Sequence, residues 1–150
     1  MPVRPILLHP DGRLRAVCAP VGEVTEAVRA LAADMLETMY AAPGRGLAAP
    51  QVGEGLRLFV MDVAWTEGAP EPVVAVDPEI VRASDAAAAG EERCLSIPDR
   101  PVVVTRPAAV TMRWTALSGA RQEHELTGAA ARCAQHELDH LNGVLILDRE

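Results

Sequence analysis

Apolar residues recur along this chain with two distinct periods. Between Thr25 and Ala42, the residues Val28, Leu31, Ala32, Met35, Leu36 and Met39 are spaced three, four and seven apart, which puts them on one face of a helix. Thr25 stands where a capping side chain is needed, and Pro43-Gly44 ends the run. The Met35/Met39 stripe reads as core. A second helix is predicted from Thr127 to Leu141, capped by Thr127 and closed by Asn142-Gly143. Ala130, Ala134, Leu138 and Leu141 share a face of it, and small residues in its first half imply close approach by other elements. Between the helices, Leu56 to Val63, Pro72 to Val76, Val102 to Thr105 and Ala109 to Thr115 are rich in strand formers. Ser118-Gly119 marks a hairpin turn into Arg121 to Leu126. Ala86-Ala87-Ala88-Ala89-Gly90 reads as a short apolar or loop segment. Helix, strands, helix predicts an α+β fold with mostly antiparallel strands.

Composition narrows the picture. The 150 residues suit one domain spanning 1–150. Aromatics are only 3%, so the core must come from Leu, Val, Ile, Ala and Met. Few aromatics, a net charge of -7 and no basic run argue against direct nucleic-acid binding. No apolar stretch approaches a membrane span, and Met1-Pro2-Val3-Arg4-Pro5 does not resemble a secretory signal. The expected location is cytoplasmic. Cys18, Cys94 and Cys133 are an odd set in such a context, which argues against a disulfide framework.

The chemistry concentrates in His136-Glu137-Leu138-Asp139-His140. Residues four apart share a helix face, so both imidazoles reach one ion. Glu137 then lies beside that ion, placed to take a proton from water. Taken alone, the pattern also fits two ordinary histidines on a charged helix. A catalytic ion needs a third ligand. His9, Cys94, His124, Cys133 and several carboxylates are available upstream, although Cys133 on the same helix would crowd the geometry. Cys94 follows a charged run and precedes Leu95-Ser96-Ile97-Pro98, a junction suited to presenting a thiolate.

Three segments together resemble the peptide deformylase family. They are Gly44-Arg45-Gly46-Leu47-Ala48-Ala49-Pro50-Gln51, Glu92-Arg93-Cys94-Leu95-Ser96, and Gln135-His136-Glu137-Leu138-Asp139-His140. Leu14-Arg15 and Asp77-Pro78-Glu79-Ile80 also look familial. The resemblance implies mostly antiparallel sheets packed around a central helix carrying H-E-x-x-H, plus an N-terminal helix. It implies that Cys94, His136 and His140 bind one divalent ion, Fe(II) or Zn(II), with Ni or Co as further options. Glu137 would be the general base and then the acid. Gln51 and the backbone N–H of Leu95 would hold the developing oxyanion, and Gly46 would offer backbone contacts to substrate. Glu92 would pair with Arg106 and brace the second segment; the plainer alternative is an exposed ion pair of little worth. The implied reaction removes formyl from N-formylmethionyl peptides, with ribosome-associated nascent chains as the source and no membrane involved.

Three arginines depart from the family pattern. Arg93 replaces a glycine in the second segment, and Arg45, Gly90 and Arg132 stand where the family's substrate pocket takes apolar side chains, with Cys133 retained. The arginines are expected either to point to solvent or to line a pocket for an acidic formyl amide, which need not be a peptide. A catalytically silent metal-binding relative is a third reading, and a general protease a fourth. The few residues after the last helix would either leave the cleft more open than in longer relatives or call for a partner.

Overall fold

The computed structural model describes residues 3–150. Met1 and Pro2, part of the segment judged above for a secretory signal, lie outside the described residues. In chain order come α1 (Glu26–Ala41), β1 (Gly46–Ala48), β2 (Leu58–Met61), β3 (Val73–Ala83), β4 (Ala87–Cys94), β5 (Ile97–Pro107), β6 (Ala109–Thr115), β7 (Arg121–Thr127) and α2 (Gly128–Leu141). Short 3-10 turns occur at Gly12–Arg15, Ala49–Val52 and Ile146–Arg149.

Two antiparallel sheets carry the fold. One has strand order β1-β2-β3-β6-β7, and the other is the β4-β5 hairpin. All four residues of β2 are buried. Phe59 and Met61 turn toward Ala134 and Leu141 of α2, together with Ala48, Ala75, Met112 and Trp114. Leu58 and Val60 turn the other way, with Leu47 and Val76, onto Val28, Leu31, Met35 and Met39 of α1. The sheet is thus covered on both faces, which is why Leu58–Met61 reads as a continuous apolar run and not an alternating one. A third cluster, of Cys94, Ile97, Val102 and Val104 with Leu14, Leu145 and Ile146, fills the hairpin side. The small residues of α2 let that helix run between the large sheet and the hairpin, as the α+β expectation required.

Both helices fall within a residue of their predicted ends. The Thr25 hydroxyl accepts the Val28 N–H at 3.3 Å. Thr127 occupies the N-cap position of α2, but its side chain makes no capping bond. The strands differ more. Leu56 to Val63 shortens to Leu58–Met61. The Pro72 to Val76 run continues to Ala83 across a bulge, and Val102 to Thr105 is the middle of the longer β5. The alanine run is no loop: Ala87 to Ala89 pair with Pro107, Arg106 and Thr105. Asp77 sits at the β3 irregularity with φ 49, and its carboxylate accepts the Val21 and Gly22 N–H groups at 2.7 and 2.9 Å.

Gly143 ends α2 with φ +74, and a Cβ there would come 2.3 Å from the Arg15 carbonyl oxygen. Left-handed strain and backbone overlap act together at this position. Gly143→Ala is therefore expected to lower stability by at least ~1–3 kcal/mol, read as a shift of the urea midpoint. An unchanged midpoint would mean that the close approach to the Gly12–Arg15 turn is dispensable.

Candidate metal centre and catalytic cleft

The β4-β5 hairpin meets α2 at a buried cluster of two imidazoles and a thiol. Cys94, His136 and His140 are all buried, and their ligand atoms lie within 4.8 Å of one another. Cys94 Sγ is 3.4 Å from His140 Nε2. That is close to the ~3.5 Å edge of a tetrahedral site with one sulfur and one nitrogen ligand. Cys94 leads directly into the Leu95-Ser96 turn of the hairpin. His9 donates its backbone N–H to the Ser96 carbonyl, and His124 lies on β7 next to Trp114. Among the described residues neither joins the cluster.

The surroundings fit a cation. Glu92 Oε1 accepts from His136 Nδ1 at 3.0 Å, which fixes the tautomer and leaves Nε2 as the lone-pair nitrogen. Burial opposes a proton on His136, yet the neighbouring Glu137, Cys94 and Glu92 outweigh it and lift the group to about 10. The position beside Nε2 thus favours positive charge, from a proton or from a metal ion. Burial, with the nearby His136 and Arg106, pushes His140 down to about 3, so its imidazole is neutral and could offer a lone pair to an ion.

Glu137 is buried, with Oε2 3.9 Å from His136 Nε2, and Oε1 has no hydrogen-bond partner among the described residues. Burial pushes its carboxyl up to about 7; His136 opposes this and Glu92 adds to it. A carboxyl in that range can both take and return a proton near neutral pH. Gly46 of β1 closes over it, and a Cβ there would fall 2.5 Å from Glu137 Oε2 and 2.8 Å from Cys133 Sγ. Gly46→Ala should displace the carboxylate and cut turnover by ~10²-fold while metal binding survives. Equal turnover in the two proteins would show that the close approach is unimportant.

Gln51 is held from both ends. Its Oε1 accepts the Ala48 N–H at 2.9 Å, so Nε2 donates to Ser96 Oγ at 3.0 Å and faces Cys94 Sγ at 3.7 Å. Ser96 was not singled out from the sequence, because a serine two residues after a cysteine carries no pattern of its own. Glu92 and Arg106 pair as the resemblance implied, and the pair is buried and bidentate, at 2.6 and 2.9 Å, not exposed. Arg106 also reaches Asp139 at 2.9 Å, and Arg149 grips the same carboxylate at 2.6 and 2.9 Å.

A cleft of about 580 Å³ opens onto these groups, lined among others by Arg45, Gly46, Arg93, Leu95, Arg132 and Cys133. The three arginines differ in state. Arg93 is exposed and pairs with Glu91 at 3.1 Å. Arg132 is tied to Glu92, to the Val104 carbonyl and to the Ala88 carbonyl. Arg45 is exposed at the rim and makes no ion pair among the described residues. The wall at Gly44 is braced from behind. Buried Asp62 accepts from Tyr40 Oη at 2.6 Å and from the backbone N–H groups of Ala64, Trp65 and Glu71 at 3.0–3.1 Å. Trp65 Nε1 in turn donates to the Gly44 carbonyl at 3.0 Å.

The family model described as Polypeptide deformylase matches residues 3–150. The chain belongs to the peptide deformylase family. It is 49% identical over 148 residues to the peptide deformylase of Mesorhizobium japonicum, covering 99% of this chain and 84% of that one. Against the Afipia carboxidovorans protein of the same name, identity is 52% over 148 residues, covering 99% and 86%. Among solved structures, the Thermotoga maritima peptide deformylase superposes with a TM-score of 0.92 at 42% identity, covering 98% of this chain and 97% of that one. A class I type b peptide deformylase of Acinetobacter baumannii, solved with Met-Ala-Ser bound, gives 0.92 at 34% identity, covering 99% and 98%. The family's α+β fold is the one described above. Among the described residues, no helix is long and apolar enough to cross a membrane.

Proposed function

We propose that this chain is a metal-dependent hydrolase that removes the formyl group from N-formylmethionyl peptides, releasing formate. The observation that carries the reading is the buried Cys94–His136–His140 set with Glu137 beside it in an open cleft. Cys94, His136 and His140 would hold the ion. When bound, it would polarise the formyl carbonyl and acidify water. One thiolate and two imidazoles suit Fe(II) and Zn(II), and also Ni or Co.

The remaining chemistry belongs to the chain. Glu137 takes a proton from the attacking water and returns it to the departing amine. The Gln51 amide, locked by Ala48, and the Leu95 N–H in the turn after Cys94 offer donors to the carbonyl oxygen as charge grows on it. Gly46, at the edge of β1, leaves its backbone open to an extended substrate. The substrate's first side chain rests beside Arg45 and Cys133.

Nascent chains on the ribosome are the natural source of such peptides. A non-peptide formyl amide, entertained from the arginines, loses ground because the relatives are peptide deformylases. An acidic first side chain retains one supporting observation, the ion-pair-free Arg45 at the rim. The test is formate release by Fe(II)-loaded protein, without oxygen, from formyl-Met-Ala-Ser and formyl-Asp-Ala-Ser. Turnover of the methionyl peptide well above the aspartyl one is expected. The reverse order, abolished by Arg45→Ile, would establish the acidic reading. No turnover of either peptide by metal-replete protein would favour a silent metal-binding role.

A further inference from the structure

We propose that Arg132 is a positioning residue for the metal centre, holding the Glu92 carboxylate in the orientation that His136 requires. The inference rests on the metal-centre reading above. It begins with two matched periods. Gly90, Glu92 and Cys94 lie on one side of β4, while Glu91 and Arg93 between them are exposed. Arg132, His136 and His140 follow one another at intervals of four along α2. Two strand residues advance about 6.6 Å and four helix residues about 6 Å, so strand and helix stay in step over three contacts.

Those contacts differ in chemistry. Cys94 meets His140, with Sγ 3.4 Å from Nε2. Glu92 meets His136, with Oε1 3.0 Å from Nδ1. Gly90 meets Arg132, where a Cβ would lie 3.0–3.2 Å from Cζ, Nε and Nη2 of the guanidinium. The absence of a side chain at Gly90 is what lets the guanidinium lie flat against β4. From that seat Nη1 donates to Glu92 Oε2 at 2.8 Å and to the Val104 carbonyl at 2.9 Å, and Nη2 donates to the Ala88 carbonyl at 2.8 Å.

Arg132 and His136 therefore grip opposite oxygens of one carboxylate from successive turns of one helix. Rotating that carboxylate to release the imidazole also breaks the Arg132 bond. Arg106 fixes the same group from β5, so guanidiniums on two different elements converge on it. Partners of this kind orient a ligating imidazole and set its basicity. With three of its hydrogen bonds committed to the protein, Arg132 acts on the reaction through Glu92.

The test compares Arg132→Met, Arg132→Lys, Gly90→Ala and the double variant Gly90→Ala/Arg132→Met. Zn(II) affinity is read by competition with a chromogenic chelator, alongside kcat and KM on formyl-Met-Ala-Ser. Arg132→Met should weaken Zn(II) about 10-fold and lower kcat with KM little changed. Lysine should recover part of the affinity. Gly90→Ala should push the guanidinium by a few tenths of an ångström and weaken Zn(II) in the same direction but by less, and should cost nothing further in the methionine background. Unchanged Zn(II) affinity in Arg132→Met with a raised KM would overturn the proposal in favour of direct substrate contact. Binding of Zn(II) without any turnover by the unaltered protein would defeat the hydrolase reading, and the affinity comparison would still decide this one.

Discussion

Glu137→Gln is expected to leave the chain folded and able to bind metal, yet to lower formate release from formyl-Met-Ala-Ser by about 10²- to 10⁴-fold. The substitution keeps the volume of a side chain that is 4% exposed. What it removes is the carboxylate proposed to carry a proton from water to the leaving amine. Gln51 and the backbone donors remain, so substrate binding should change little and the loss should fall on kcat. The informative experiment measures metal content and kcat in the same preparation. A metal-replete Glu137→Gln variant that turns over within tenfold of the parent would mean that another group moves the proton.

The second large effect is on stability. Arg106→Met should destabilise the metal-free chain by ~3–5 kcal/mol, a large part of the roughly 5–15 kcal/mol typical of a small protein. Arg106 is 3% exposed and makes two bonds to Glu92 and one to Asp139. Its loss leaves Glu92 buried with less compensation, because burial disfavours that charge and Arg106 is the first of the partners that hold the carboxyl down at about 2. Neutralising both partners, as in Glu92→Gln/Arg106→Met, should return part of the loss, since neither charge is then stranded. Urea unfolding at neutral pH reads both. A cost below about 1 kcal/mol for the single variant would show that the pair behaves like a surface bridge.

What could be read in advance follows the range of the interaction. Both helices were legible because their apolar spacing is local, and His136 and His140 were legible as partners because one helical turn brings them together. Cys94 was only one of several candidates for the third ligand until its segment was recognised as familial. Strand β4 was missed because its alanines carry little β signal, and its pairing with β5 is what makes it a strand. Strand β1 was missed because glycine at its start reads as a loop, whereas it lies there to clear Glu137. The Glu92–Arg106 pair was legible through the resemblance, but its burial was not: two charged residues on neighbouring strands give no hint that a third element will bury them. The three arginines look alike in sequence, and only the fold sorts them into one paired at the surface, one bound to Glu92 and one at the rim.

The Asp62 carboxylate gathers the N–H groups of Ala64, Trp65 and Glu71 at one point. The stretch between them, Thr66 to Pro70, is exposed throughout. Its two ends are fixed independently of what joins them. Lengthening such a loop costs only about 0.6 kcal/mol per doubling. A reporter peptide or an affinity tag can therefore be spliced in at Gly68, and the Trp65 brace on the Gly44 carbonyl would remain in place.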